Sequence, residues 1–170
     1  MKNLIIFISM IFILAFAGCK DKTSKPLVQD DKVELSATNG DKITIKKTAN
    51  GLQYTSDKAL LLTFFTTSCV PCKAQIPHLN NLQAHYADEL RIVAVMLDNT
   101  TLEEVQSFIT DTKIEFIVTY DNNNFKLSAT LGNITNVPYT AIYDKNGDYA
   151  AHYVGAAPEE MIEADLKRIF

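Results

Sequence analysis

The run Ala59-Leu60-Leu61-Leu62-Thr63-Phe64-Phe65 leads, after three residues, into Cys69-Val70-Pro71-Cys72. A continuous apolar run of this length is expected of a strand buried on both faces. The Cys-x-x-Cys that follows opens a predicted helix, which sets its two thiols one helical turn apart. The only other cysteine, Cys19, lies in an apolar leader. Two thiols three residues apart, with nothing else to pair with, are poor structural material and good reactive material. The competing readings are an inert pair or half of a zinc site. Zinc wants four ligands, the chain has no second pair, and His78 and His85 fall on the same predicted helix rather than on a return loop.

The leader bounds where such thiols would work. Lys2 supplies a short positive start, and Leu4 to Phe16 is apolar except for Ser9. This stretch is short for a membrane span and suits a signal peptide over residues 1–18. Ala17-Gly18-Cys19 resembles a bacterial lipoprotein cleavage box, which makes Cys19 a candidate lipidated first residue; Phe16 stands where the box usually has Leu. Ala15-x-Ala17 is an ordinary cleavage site in the alternative, and an uncleaved anchor is the third reading. Residues 19–32 read as the lipidated N-terminus and a charged tether. Its thirteen residues from Lys20 to Lys32 would reach about 20 Å as a flexible coil. The expected location is the bacterial cell envelope, facing the periplasm and lipid-anchored to a membrane, where disulfides persist.

Residues 33–170 read as a single domain. The chain has 170 residues with 47% hydrophobic content, enough for a core, and a net charge of −4 without a basic patch, so nucleic acid is not an expected partner. Val33–Ala37 and Ile43–Ile45 flank Asn39-Gly40 and predict a hairpin with positive φ at its turn. Ile76, Leu79, Leu82 and Tyr86 form the inward stripe of the helix after the cysteines. Arg91–Leu97 predicts a second buried strand. Thr100-x-x-Glu103 has capping-box form, ahead of Leu102, Val105, Phe108 and Ile109 at helical spacing. Phe116–Val118 predicts a strand, Phe125–Leu131 a short helix ending at Gly132, and Thr140–Tyr143 with Tyr149–Val154 a second hairpin. Pro158 opens a last helix with the stripe Met161, Ile162, Leu166 and Ile169. The predicted order is ββ-βα-βα-β-α-ββ-α.

With these elements in place, the chain resembles the thioredoxin-like superfamily, and within it the TlpA/ResA-like extracytoplasmic thiol-disulfide oxidoreductases. Four features carry the resemblance: the strand followed by Cys69-Val70-Pro71-Cys72, Pro77 inside the next helix, Val137-Pro138 ahead of a strand, and the closing hairpin and helix. The resemblance covers about Val33 to Phe170. It implies an α/β thioredoxin-like fold, a central mixed β-sheet flanked by helices, with an added N-terminal β-hairpin. It implies a redox disulfide between Cys69 and Cys72, with Cys69 the nucleophile at the helix N-terminus and Cys72 the buried resolving thiol. Val70 and Pro71 flank the pair, and Val137 with a cis Pro138 would dock substrate. No metal and no cofactor is implied. The implied partners are exported protein thiols or disulfides and a membrane thiol-disulfide electron donor or acceptor.

Departures from the family pattern are specific. The acid that thioredoxin carries six residues before its first cysteine is Thr63 here. The Glu that many TlpA/ResA-like proteins carry three residues after the second cysteine is Gln75. Ser68 stands where a tryptophan is usual, and Tyr139 follows the loop proline where Thr is common. Neither usual place holds a carboxylate to deprotonate Cys72. The family favours reductase work, for example on apocytochrome c thiols. The alternatives are a disulfide-forming oxidant, a peroxidase suggested by Thr66-x-x-Cys69, and a non-catalytic lipoprotein interaction module. For the peroxidase, Leu62 replaces the motif's proline.

Overall fold

The computed structural model describes residues 32–170. The predicted signal peptide, Cys19 and the tether up to residue 31 lie outside these described residues. Eight strands form one sheet: β1 (Lys32–Ala37), β2 (Lys42–Lys47), β3 (Leu52–Tyr54), β4 (Ala59–Phe65), β5 (Leu90–Met96), β6 (Ile117–Tyr120), β7 (Tyr139–Tyr143) and β8 (Tyr149–Val154). Four helices complete it: α1 (Val70–His85), α2 (Leu102–Thr112), α3 (Asn122–Thr130) and α4 (Glu159–Leu166). The sheet order is β3-β2-β1-β6-β5-β4-β7-β8. β4, β5 and β6 are parallel neighbours, and every other pairing is antiparallel.

β4 lies inside the mixed sheet, between β5 and β7, and all seven of its residues are buried. Strand side chains alternate between faces, and the two faces build different cores. Leu61 and Phe65 of β4 join Ile92 and Met96 of β5 on one face, under α1, α2 and α4. Leu60, Leu62 and Phe64 join Val93 and Val95 on the other, covered by α3 and by Val33, Leu35, Ile43 and Ile45 of the first two strands. Each such Leu or Ile, fully removed from water, contributes about 1.5–3 kcal/mol. The uninterrupted apolar pattern of β4 follows from this double burial.

The N-terminal hairpin forms with the predicted strands, in the register Val33↔Ile45 and Leu35↔Ile43. Its turn differs in detail: Gly40 alone takes positive φ, at 93°, and Asn39 instead accepts the Asp41 N–H through its side chain. The sequence reading missed β3, a three-residue strand that extends the hairpin into a meander. The segment before it is held by the opposite end of the sheet. Leu52 N–H donates to Gly147 O, and Tyr149 N–H donates to Asn50 O. Gly51 and Gly147 are required at this crossing, because a Cβ on either would collide with an opposing carbonyl oxygen.

Three smaller expectations are corrected. The capping box is Thr101 with Glu104, one residue later than predicted, because Thr101 is the last residue with extended backbone (φ −77°, ψ 161°). Leu102 and Met161 do not join the apolar stripes of α2 and α4. They are 36% and 52% exposed, while Val105, Phe108, Ile162 and Leu166 carry the burial. The strand predicted at Phe116–Val118 begins at Ile117 and runs to Tyr120.

Candidate active site

β4 ends at Phe65, and its loop is fixed from the next strand. Asp98, just past β5, accepts the Thr67 N–H through its carboxylate, and Cys69 N–H donates to Thr66 O at 3.2 Å. The loop delivers Cys69 as the N-cap of α1, with extended backbone (φ −76°, ψ 104°). Pro71 sits in the first turn of α1, where the missing N–H would have had no helical partner. Pro77 lies inside the same helix.

Cys69 and Cys72 are joined in a disulfide, with their Cα atoms 5.2 Å apart. The Sγ of Cys69 also accepts the Cys72 N–H at 3.2 Å. This geometry can hold an anion. Helix N-termini present unpaired N–H groups and the positive end of the helix dipole, so a thiolate at Cys69 in the reduced pair is favoured. The two sulfurs differ in access. Cys72 is 4% exposed and belongs to the core, whereas Cys69 is partly exposed. Val70 between them is 74% exposed, an apolar side chain presented to solvent beside the disulfide.

The Val137–Pro138 peptide bond is cis. Pro138 lines a small cavity with Cys72, Thr63 and Gln75, so the loop ahead of β7 and the first turns of α1 meet. The register Phe64↔Tyr139 and Thr63↔Thr140 between β4 and β7 brings them there. Val137 is partly exposed and packs against both cores. The sites predicted from sequence, Cys69, Val70, Pro71, Cys72, Val137 and Pro138, therefore come together at one end of β4.

The structure adds residues that the sequence reading passed over. Asp98 was a loop residue without a signal, and its role as anchor of the 66–68 loop arises only from β4 and β5 being parallel neighbours. Thr140 lies 3.4 Å from Thr63 through their hydroxyls, a buried polar pair behind the disulfide. Tyr139 packs edge-on against Phe64 and stacks on His152. Burial holds the phenol of Tyr139 above its ordinary range, as does the nearby Tyr149. The other histidines are peripheral: His78 pairs with Glu159 at 2.9 Å, and exposed His85 packs on Tyr86.

The redoxin family profile matches residues 27–169. The chain belongs to the redoxin family. Its sequence is 29% identical to the thioredoxin-like protein YneN of Bacillus subtilis over 125 residues, covering 72% of each chain. It is 34% identical to the thiol-disulfide oxidoreductase ResA of Oceanobacillus iheyensis over 113 residues, 66% of this chain and 57% of that one. The match to ResA of Bacillus anthracis, at 29% identity, likewise spans 64% of the relative's length. Among solved structures, StoA from Bacillus subtilis aligns with a TM-score of 0.62 at 22% identity, covering 80% of this chain and 96% of StoA. A DsbF homologue from Corynebacterium diphtheriae aligns with a TM-score of 0.67 at 20% identity, covering 81% of this chain and 84% of that one. The fold is thioredoxin-like, and fold, family and disulfide together make this redoxin a thioredoxin-like thiol-disulfide oxidoreductase.

Proposed function

We propose that this redoxin exchanges disulfides with exported proteins, working as a reductase in the cell envelope. The observation that carries the reading is the Cys69–Cys72 disulfide itself, with one sulfur reachable and the other buried behind it. In the reductive direction the pair starts as two thiols. The Cys69 thiolate attacks a substrate disulfide, forms a mixed disulfide and releases one substrate thiolate. Cys72 gives up its proton and attacks the Cys69 sulfur. The second substrate thiolate leaves, the substrate is reduced by two electrons, and the enzyme holds the disulfide. Val137, with Pro138, would dock the substrate strand beside Cys69, and exposed Val70 offers it apolar contact.

A membrane thiol donor would then restore the dithiol. The names of the ResA relatives support thiol-disulfide exchange, and apocytochrome c thiols are one class of substrate that a reductase of this kind would keep reduced. Lipidation at Cys19, after removal of residues 1–18, would hold the domain at the membrane. Palmitate labelling that appears in the wild type and vanishes in Cys19→Ala supports the anchor; an unlabelled wild type removes it. Among the described residues, no helix is long and apolar enough to cross a membrane.

The test of direction is the reduction potential together with the state of Cys69 and Cys72 in cells. Thiols trapped reduced, with a potential toward the thioredoxin end near about −270 mV, support the reductase. A disulfide in cells and a potential near about −120 mV would assign an oxidant instead.

A further inference from the structure

Gln75 lies one helical turn beyond Cys72, on the same buried face of α1. It is 2% exposed. Among the described residues, neither its Nε2 nor its Oε1 has a hydrogen-bond partner. A buried amide of this kind is uncommon, because removing it from water without a replacement bond is costly. Its surroundings explain the lack of partners. The cavity it lines is formed mostly by apolar side chains, Phe65, Ile76, Leu79 and Pro138, with the Cys72 side chain and Thr63 completing it. The one hydroxyl on its wall, Thr63, accepts from Thr140 Oγ1 at 3.4 Å and makes no hydrogen bond to the amide.

The partner that this pocket can gain is Cys72. In the disulfide its sulfur has no proton and is a weak acceptor. Reduction by two thiols, with release of their disulfide, breaks the Cys69–Cys72 bond and leaves a thiol or thiolate on Cys72. A thiol can donate to Oε1, and a thiolate accepts from Nε2 as a charge-assisted bond. We infer that Gln75 is a redox-dependent hydrogen-bond partner of Cys72: unpaired in the disulfide, paired in the dithiol, and so a positioning residue that favours the reduced pair and makes the site more oxidising. This rests on the proposal that Cys69 and Cys72 form an exchangeable couple.

The test uses the full-length protein and Gln75→Met, which keeps the side chain's length and removes its polar atoms. Each is equilibrated in glutathione buffers at fixed pH, and the fraction of disulfide is read after quenching. Loss of one hydrogen bond from the reduced form predicts an equilibrium constant for reduction about tenfold lower in Gln75→Met, equivalent to a potential about 30 mV more negative. Thermal unfolding of each redox form supplies the readout that simple packing would not produce. The disulfide form of Gln75→Met should unfold at the same or a higher temperature than wild type, and the dithiol form at a lower one. An unchanged equilibrium constant overturns the inference, as would a water satisfying the amide in both states. Both redox forms losing stability equally also overturns it, leaving only a packing role. A wild-type disulfide that glutathione cannot reduce would instead remove the exchangeable couple, and this inference with it.

Discussion

Two buried amides sit near the C-terminal ends of neighbouring parallel strands, and they are treated in opposite ways. Asn124, at the start of α3, is fully buried. Its Nδ2 donates to Met96 O at 2.8 Å and to Thr119 O at 2.9 Å, and its Oδ1 accepts from Thr119 Oγ1 at 3.0 Å. It ties the ends of β5 and β6 to the helix that follows. Gln75 is equally buried and makes none of these bonds. A satisfied buried network fixes one conformation, whereas an unsatisfied group is tolerated where a change of state can use it. The first amide belongs to the scaffold and the second to the redox site.

The largest expected effect separates chemistry from scaffold. Cys69→Ser should eliminate insulin reduction while leaving far-ultraviolet circular dichroism and the unfolding midpoint of the reduced protein close to wild type. Retained activity would remove Cys69 from the chemistry. Next comes the scaffold side. Asn124→Leu strands the Met96 and Thr119 carbonyls and should cost about 2–4 kcal/mol in denaturant unfolding. Its glutathione equilibrium should match wild type; a shifted equilibrium would mean that the two amides are coupled.

Thr101→Ala, which removes the cap of α2 well away from either amide, sets the scale of an ordinary local loss at about 1 kcal/mol. Exchange activity should be untouched, and a drop in activity would show α2 reaching the site. The smallest effect is alkaline. Burial raises the phenols of Tyr143 and Tyr54 above their ordinary value of 10.0. The folded state therefore keeps protons that the unfolded state loses, and stability present below pH ~10 falls as pH rises beyond it. A denaturation midpoint independent of pH between about 9 and 11 would contradict that burial.

Much of this was legible beforehand. Continuous hydrophobicity marked β4 because both of its faces are covered, and Cys-x-x-Cys marked the start of α1 because a reactive thiol profits from a helix N-terminus. The hairpins from β1 to β2 and from β7 to β8 were visible through Asn-Gly and Asp-Lys-Asn-Gly-Asp, which favour turns through local bonds. What failed locally was short or shared. β3 has three residues and no period to detect. The capping box slipped by one residue because Thr100 and Thr101 are both good caps and Glu103 and Glu104 both good partners, so only the backbone trajectory chose between them.

By itself, the sequence determined every strand but β3, the helices, the position of the dithiol and the absence of a carboxylate at residues 63 and 75, because these depend on residue type and near-neighbour spacing. Tertiary structure alone decided that Asp98 fixes the 66–68 loop, that Thr63 meets Thr140, that Gly51 meets Gly147, and that Gln75 is left without a partner beside Cys72. Each of these depends on how segments far apart in the chain pack together. Hydrogen bonding is short-ranged and directional, so who satisfies whom is settled only when packing brings the atoms within reach.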